Sequence, residues 1–162
     1  MTVKEKAEKI FNAYDHYMED IGERLMEEES KKADIYSEIF QENYRKRLSE
    51  AKDAFFETPI PDIDHISPNA FFEALPDIDA CMQVFVIASQ LAEEEIPREL
   101  VDRIFSFGDQ AHRRLLELVL EKEWEIDPDA DQMDARDMLA VSMSALRLLG
   151  LRQVTQSIPD VL

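Results

Sequence analysis

The 162-residue chain has one cysteine, three glycines and seven prolines. The lone cysteine, Cys81, excludes an intrachain disulfide and points to a reducing compartment. So few glycines exclude a Gly-rich phosphate loop, and no serine sits in a Gly-x-Ser-x-Gly turn. Scarce glycine and proline leave long stretches free to be helical. Valine and isoleucine occur singly inside helix-period patterns, so little favours strand. The longest wholly apolar run is Val84 to Ala88, against the roughly 20 residues that cross a bilayer. The first ten residues carry Lys4, Glu5, Lys6, Glu8 and Lys9, too many charges for a secretory signal. Lysine is nearly absent from the second half, where Lys122 is the only one past Lys52. A soluble, cytoplasmic, all-α protein is the expectation.

Apolar residues at 45% and charged residues at 33% fit a globular chain long enough to bury a core without staples. The formal net charge is −18, unevenly spread. Residues 1–58 hold ten basic and fifteen acidic side chains, whereas 59–162 hold eight and twenty-one. Such a surface repels phosphate, which disfavours direct nucleic-acid binding and anionic membranes. A basic protein partner suits it, although the same acidity also serves solubility alone.

Residues 1–57 form the first expected unit. Thr2 and Glu5 make a capping-box signature, and Ile10, Tyr14, Tyr17, Ile21 and Leu25 trace one helical face. A polar stretch from Glu27 to Lys32 interrupts it, and Ile35, Ile39, Phe40, Tyr44, Leu48, Ala51 and Phe55 resume the pattern. One continuous helix would be about 84 Å long at 1.5 Å per residue. A hairpin turning near Glu28–Lys32 instead lets the two stripes bury each other, and it is the preferred reading. Residues 58–67 (TPIPDIDHIS) read as a proline-rich linker. Ser67 then caps a short helix with Pro68 at its first position, and Pro76 and Asp77 open the next. Apolar residues around nearly the whole circumference of 77–94 predict a helix buried on several sides.

Two of the glycines, Gly108 and Gly150, lie 42 residues apart in matching surroundings. Ile104-Phe105-Ser106-Phe107 precedes the first, and Leu115, Leu116, Val119 and Leu120 follow it. Leu146-Arg147-Leu148-Leu149 precedes the second, and Ser157, Ile158, Val161 and Leu162 follow at the same offsets. A helix, a glycine that stops it and a second amphipathic helix make the unit of a stacked helical repeat. Leu146 to Gly150, followed by Ile158-Pro159-Asp160-Val161-Leu162, resembles a HEAT-type unit, and the likeness extends over roughly residues 77–162. The resemblance implies a curved α–α stack over 68–162 that serves as a scaffold and carries no catalytic residues. Its last apolar residues, Ile158, Val161 and Leu162, would need cover from a second copy or from further chain. A homodimer through that edge or through the N-terminal hairpin is therefore expected.

Several clusters invite chemistry. Asp127, Asp129 and Asp131 have the spacing of the first ligands of an EF-hand. Gln132 stands where that loop needs glycine, and Met138 where it needs a bidentate glutamate. His16 has Glu19 and Asp20 on its own helical face, Asp109 precedes His112 by three residues, and His65 lies near Asp62 and Asp64. A di-iron bundle needs Glu-x-x-His pairs, and none occurs here. His16, Asp109 and His112 are retained as the set an alternative metal-dependent bundle enzyme would use. Cys81, inside the most apolar helix, reads as inert packing, and Met133, Met138 and Met143 as core filler. Arg113 and Arg114 form the only basic doublet of the acidic half. The primary expectation is a non-catalytic interaction or assembly module with no cofactor. Asp102, Glu121, Glu125 and Asp129 are its expected partner-facing carboxylates.

Overall fold

The computed structural model describes residues 1–91, 96–120 and 141–150. It is all-α: the described residues contain no strand, only an isolated antiparallel bridge between Ile60 and Ile66. The chain divides into two compact units, Met1–Phe71 and Phe72–Leu162.

The first unit is built on two helices, α1 (Val3–Ser30) and α2 (Glu38–Glu57). The capping box expected at the N-terminus is present: Glu5 N–H donates to Thr2 Oγ1, and Thr2 N–H to the Glu5 carboxylate, both at 3.1 Å. The helices break for local reasons. Ser30 Oγ donates to the Glu27 carbonyl at 2.9 Å, and a turn closes as Lys32 and Ala33 donate to the Glu29 carbonyl. Asp34 then folds the chain, its Oδ1 accepting from Tyr36 N–H at 3.1 Å, before Ser37 caps α2 by accepting from Phe40 N–H at 3.2 Å. An aspartate and a serine that hydrogen-bond their own backbone restart a helix in a new direction.

The helices run antiparallel. Arg47 meets Glu29 near the end of α1, whereas Phe55, further along α2, packs on Tyr14 and Tyr17 much earlier in α1. Ala7, Ile10 and Phe11 are fully buried, and Tyr14, Phe55 and Phe56 form an aromatic cluster with centroids 5.2–5.4 Å apart. The proline-rich segment 58–67 folds back within this unit. Its 3-10 turn Pro61–Ile63 packs on α1 with Ile63 fully buried, and Lys6 Nζ reaches Asp64 Oδ2 at 3.1 Å. Asp64 and His65 take left-handed φ values of 64° and 58° to close that loop, which brings Ile60 beside Ile66.

One part of the expected α2 stripe is corrected. Phe40 and Phe55 are buried, but Ile35 and Ile39 are not. The phase of the stripe is set by Phe40; Ile39 stands about 100° round the helix from it, and Ile35 precedes the cap.

Helix α3 (Pro68–Glu73) begins in the first unit at the Ser67 cap, where Ala70 N–H donates to Ser67 Oγ at 3.2 Å, and the second unit starts within it at Phe72. The cap of α4 (Ile78–Leu91) is Asp77, whose Oδ1 accepts from Ala80 N–H at 2.8 Å. As its composition predicts, α4 buries Cys81, Met82, Val84, Phe85, Ile87 and Ala88. It packs on α5 (Arg98–Phe105) and α6 (Asp109–Leu120), which also meet each other. Gly108 separates α5 from α6 with φ at +64°, a conformation that is nearly free for glycine and strained for other residues. Residues 141–150 are helical and bury Val141, Ala145, Leu148 and Leu149. Gly150 is part of that helix and lacks the left-handed φ of Gly108, so within the described residues the two matched glycines differ in conformation. The expected C-terminal piece, Val154 to Leu162, lies outside the described residues.

Candidate functional site

The chemistry-bearing residues singled out by the sequence are dispersed. His16 is exposed on α1 in the first unit, while exposed Asp109 and half-buried His112 share the first turn of α6 in the second. His65 is exposed in the loop after the 3-10 turn. Among the described residues no three of His, Cys, Asp and Glu gather as a metal ion requires. Asp127, Asp129 and Asp131 lie outside the described residues, as do Met133, Met138, Glu121 and Glu125. Of the expected partner-facing carboxylates, Asp102 is described: it is exposed on α5, 4.0 Å from Arg98 Nε. The basic doublet splits, with Arg113 exposed and Arg114 bonded to Asp79 of α4 and 3.5 Å from Glu117.

Cys81 is fully buried, and burial pushes its thiol up to about 11, with Asp77 adding to the shift and Arg103 opposing it. A thiol held neutral there is packing, not a nucleophile. Arg103 has another task. Its Nε and Nη2 donate to the Leu75 carbonyl at 3.1 and 2.7 Å, and its Cζ lies 4.8 Å from the centre of the Phe107 ring. The guanidinium thus satisfies a carbonyl just past the end of α3 and stacks on an aromatic face.

The most distinctive surface is the turn that joins α1 to α2. Ile35 is 43% exposed, Tyr36 85% and Ile39 66%, so three large apolar side chains within five residues face solvent. The backbone beneath them is fixed. Ser37 N–H and Oγ both donate to the Asp34 carbonyl, at 2.9 and 2.6 Å, while the Asp34 side chain holds Tyr36 N–H.

Charge around this turn is sorted. Glu29, only 3% exposed, accepts from Arg47 Nη1 at 2.9 Å, and the same guanidinium reaches Glu28 at 2.8 Å. Lys32 adds a contact to Glu29 at 3.6 Å, and Lys31 pairs with Glu27 at 3.6 Å. The Arg47 hydrogen bond holds the Glu29 carboxyl below its usual range, against the opposing effect of burial. The cations of the turn are thereby engaged by α1. Among the described residues, no ion pair engages exposed Asp34, Glu38 or Glu42, which border the three apolar side chains.

Sequence reasoning missed this surface because it assigned Ile35 and Ile39 to the buried stripe. The available signal was the Asp34-x-x-Ser37 pair, which starts α2 after Ile35 and leaves Ile39 and Phe40 on different faces. Burial of Glu29 was also missed, since its partner lies 18 residues away.

No protein-family model, curated protein or solved structure matches this chain.

Proposed function

We propose that this protein is a non-catalytic interaction module: an N-terminal helical hairpin followed by a HEAT-like α–α stack, presenting an acidic surface to a protein partner in the cytoplasm. The observation that carries the reading is the placement of large apolar side chains outside both cores: Ile35, Tyr36 and Ile39 in the first unit, and Leu116, Met143 and Leu146 in the second. Isolated exposed hydrophobes are ordinary, but a cluster on a fixed backbone marks a surface that gains by being covered. The excess of eighteen negative charges favours a basic partner by long-range attraction. The succession α5, left-handed Gly108, α6, with α4 packed on both, supports the stacked arrangement of the second unit.

The test is an affinity capture at low and moderate salt, joined to a metabolite-turnover screen of the purified protein. The reading expects a salt-sensitive, stoichiometric protein complex and no turnover. Catalytic consumption of a small molecule, with no protein recovered, would overturn it.

A further inference from the structure

We propose that the α1–α2 turn is itself a docking surface, with Ile35, Tyr36 and Ile39 at its centre, and that its occupant is a basic amphipathic helix of another protein. This rests on the interaction-module reading and names the site and the partner's chemistry.

Three observations converge. The first is apolar area where the helix pair has no further use for it: Tyr36 is the most exposed of the large apolar side chains among the described residues, and Ile39 points away from the face that buries Phe40. Tyrosine is favoured at the energetic centres of interfaces, because it covers wide apolar area with only two rotatable bonds and keeps a polar tip. The second is preorganisation. The Asx turn at Asp34 and the Ser37 cap hold the three side chains' backbone before any partner arrives, which lowers the ordering cost of association.

The third is charge, and it selects the occupant. Lys31, Lys32 and Arg47 are drawn back onto Glu27, Glu28 and Glu29. Asp34, Glu38 and Glu42 are left around the apolar centre. The next cations along α2, Arg45 and Lys46, lie about 10 Å from Ile39 at the helical rise. An apolar stripe flanked by lysine or arginine complements this pattern: its apolar side chains would cover Ile35, Tyr36 and Ile39 while its cations face the three carboxylates. A second copy of this chain does not fit. A two-fold contact would place the carboxylates of one turn against those of the other, within a dimer carrying twice a charge of −18. Anionic lipid is repelled for the same reason.

The experiment uses the 162-residue chain and a synthetic amphipathic helix of leucine and lysine, followed by backbone amide NMR and by titration calorimetry at two salt concentrations. An acidic protein attracts cationic peptide broadly, so the test is dependence on the turn rather than binding alone. Shifts should concentrate in residues 34–42, and Tyr36→Ser should weaken Kd on the order of tenfold. Tyr36→Phe should retain most of the affinity, and Glu42→Gln should weaken it and flatten its salt dependence. The replaced side chains are exposed, so melting curves should not move. A leucine–glutamate peptide and anionic vesicles should not bind.

Peptide binding that moves only amides of the second unit, or that ignores Tyr36→Ser, overturns this site and leaves the module reading in place. Self-association abolished by Tyr36→Ser, or vesicle binding that depends on Tyr36, overturns the choice of occupant. Failure of the module reading itself would appear separately, as turnover in the metabolite screen.

Discussion

The same substitution, glycine to alanine, should have opposite signs at Gly22 and Gly108. Gly22 lies inside α1, where glycine is about 0.5–1 kcal/mol less favourable than alanine because it has more backbone freedom to lose. What could offset that gain is space. A Cβ at Gly22 would meet Tyr44 Oη at 3.5 Å, an ordinary van der Waals contact. No steric cost is due, so Gly22→Ala should stabilise the protein by about 0.5–1 kcal/mol. At Gly108 a Cβ would meet nothing within 4 Å, so sterics with neighbours are again absent. There, however, φ is +64°, and an L-residue in the left-handed region costs roughly 1–2 kcal/mol. Gly108→Ala should therefore destabilise by about that amount, and Gly108→Asn by less, since asparagine tolerates this region better. Urea melts followed by helical circular dichroism would measure both as shifts of the midpoint at unchanged slope. For a chain of this size 1 kcal/mol corresponds to about 2–4 °C in Tm, or about 4–8 °C if the affected unit melts by itself. A lower midpoint for Gly22→Ala would refute the reasoning, because it would mean that α1 and α2 approach more closely than the Tyr44 contact allows. An unchanged midpoint for Gly108→Ala would refute the assignment of the left-handed turn.

Three further outcomes follow from the packing and the titrating groups. Phe11→Ala removes a fully buried ring from the first unit and should cost about 3–5 kcal/mol in a chemical melt, whereas Tyr36→Ala should stay within about 0.5 kcal/mol. The folded-state pKa of Glu29 lies below its ordinary value of 4.5, so its contribution to stability is complete above that value and is lost as pH falls through the lowered one. Glu29→Gln should accordingly flatten the pH dependence of stability below 4.5 and leave none of its effect on slope above pH 6. Alkylation of Cys81 at pH 8 should be negligible in the native protein and rapid in urea, because its thiol is buried and pushed up to about 11; fast native labelling would contradict its placement in α4.

Helix starts were the most legible part of this chain, because each is written locally. Thr2 with Glu5, Ser67 with Pro68, and Asp77 are short-range hydrogen-bonding signals, and each one caps the helix it announces. The helix stop at Gly108 was legible for the same reason, though not its left-handed φ. The start of α2 escaped although Asp34 and Ser37 mark it locally; the rest of what escaped was decided by residues distant in sequence. Whether Ile39 or Phe40 faces α1 depends on the phase at which α2 docks. Glu29 could be called buried only with Arg47 in view, and Ile63 only once the proline-rich segment is seen to return to α1. Of the candidate site, composition indicated the acidity but not where apolar side chains remain uncovered, since periodicity had already spent Ile35 and Ile39 on the core.

Arg103 holds its corner of the second unit without a carboxylate among the described residues: it grips a main-chain oxygen and lies on a ring. Added electrolyte weakens attraction between opposite ions at a surface, yet does little to a cation bound to a dipole and a quadrupole. The junction between Leu75 and α5 should thus stay fastened in brine, while the Arg114–Asp79 link between α6 and α4 slackens. The two sides of one unit would answer differently to the ionic strength of their surroundings.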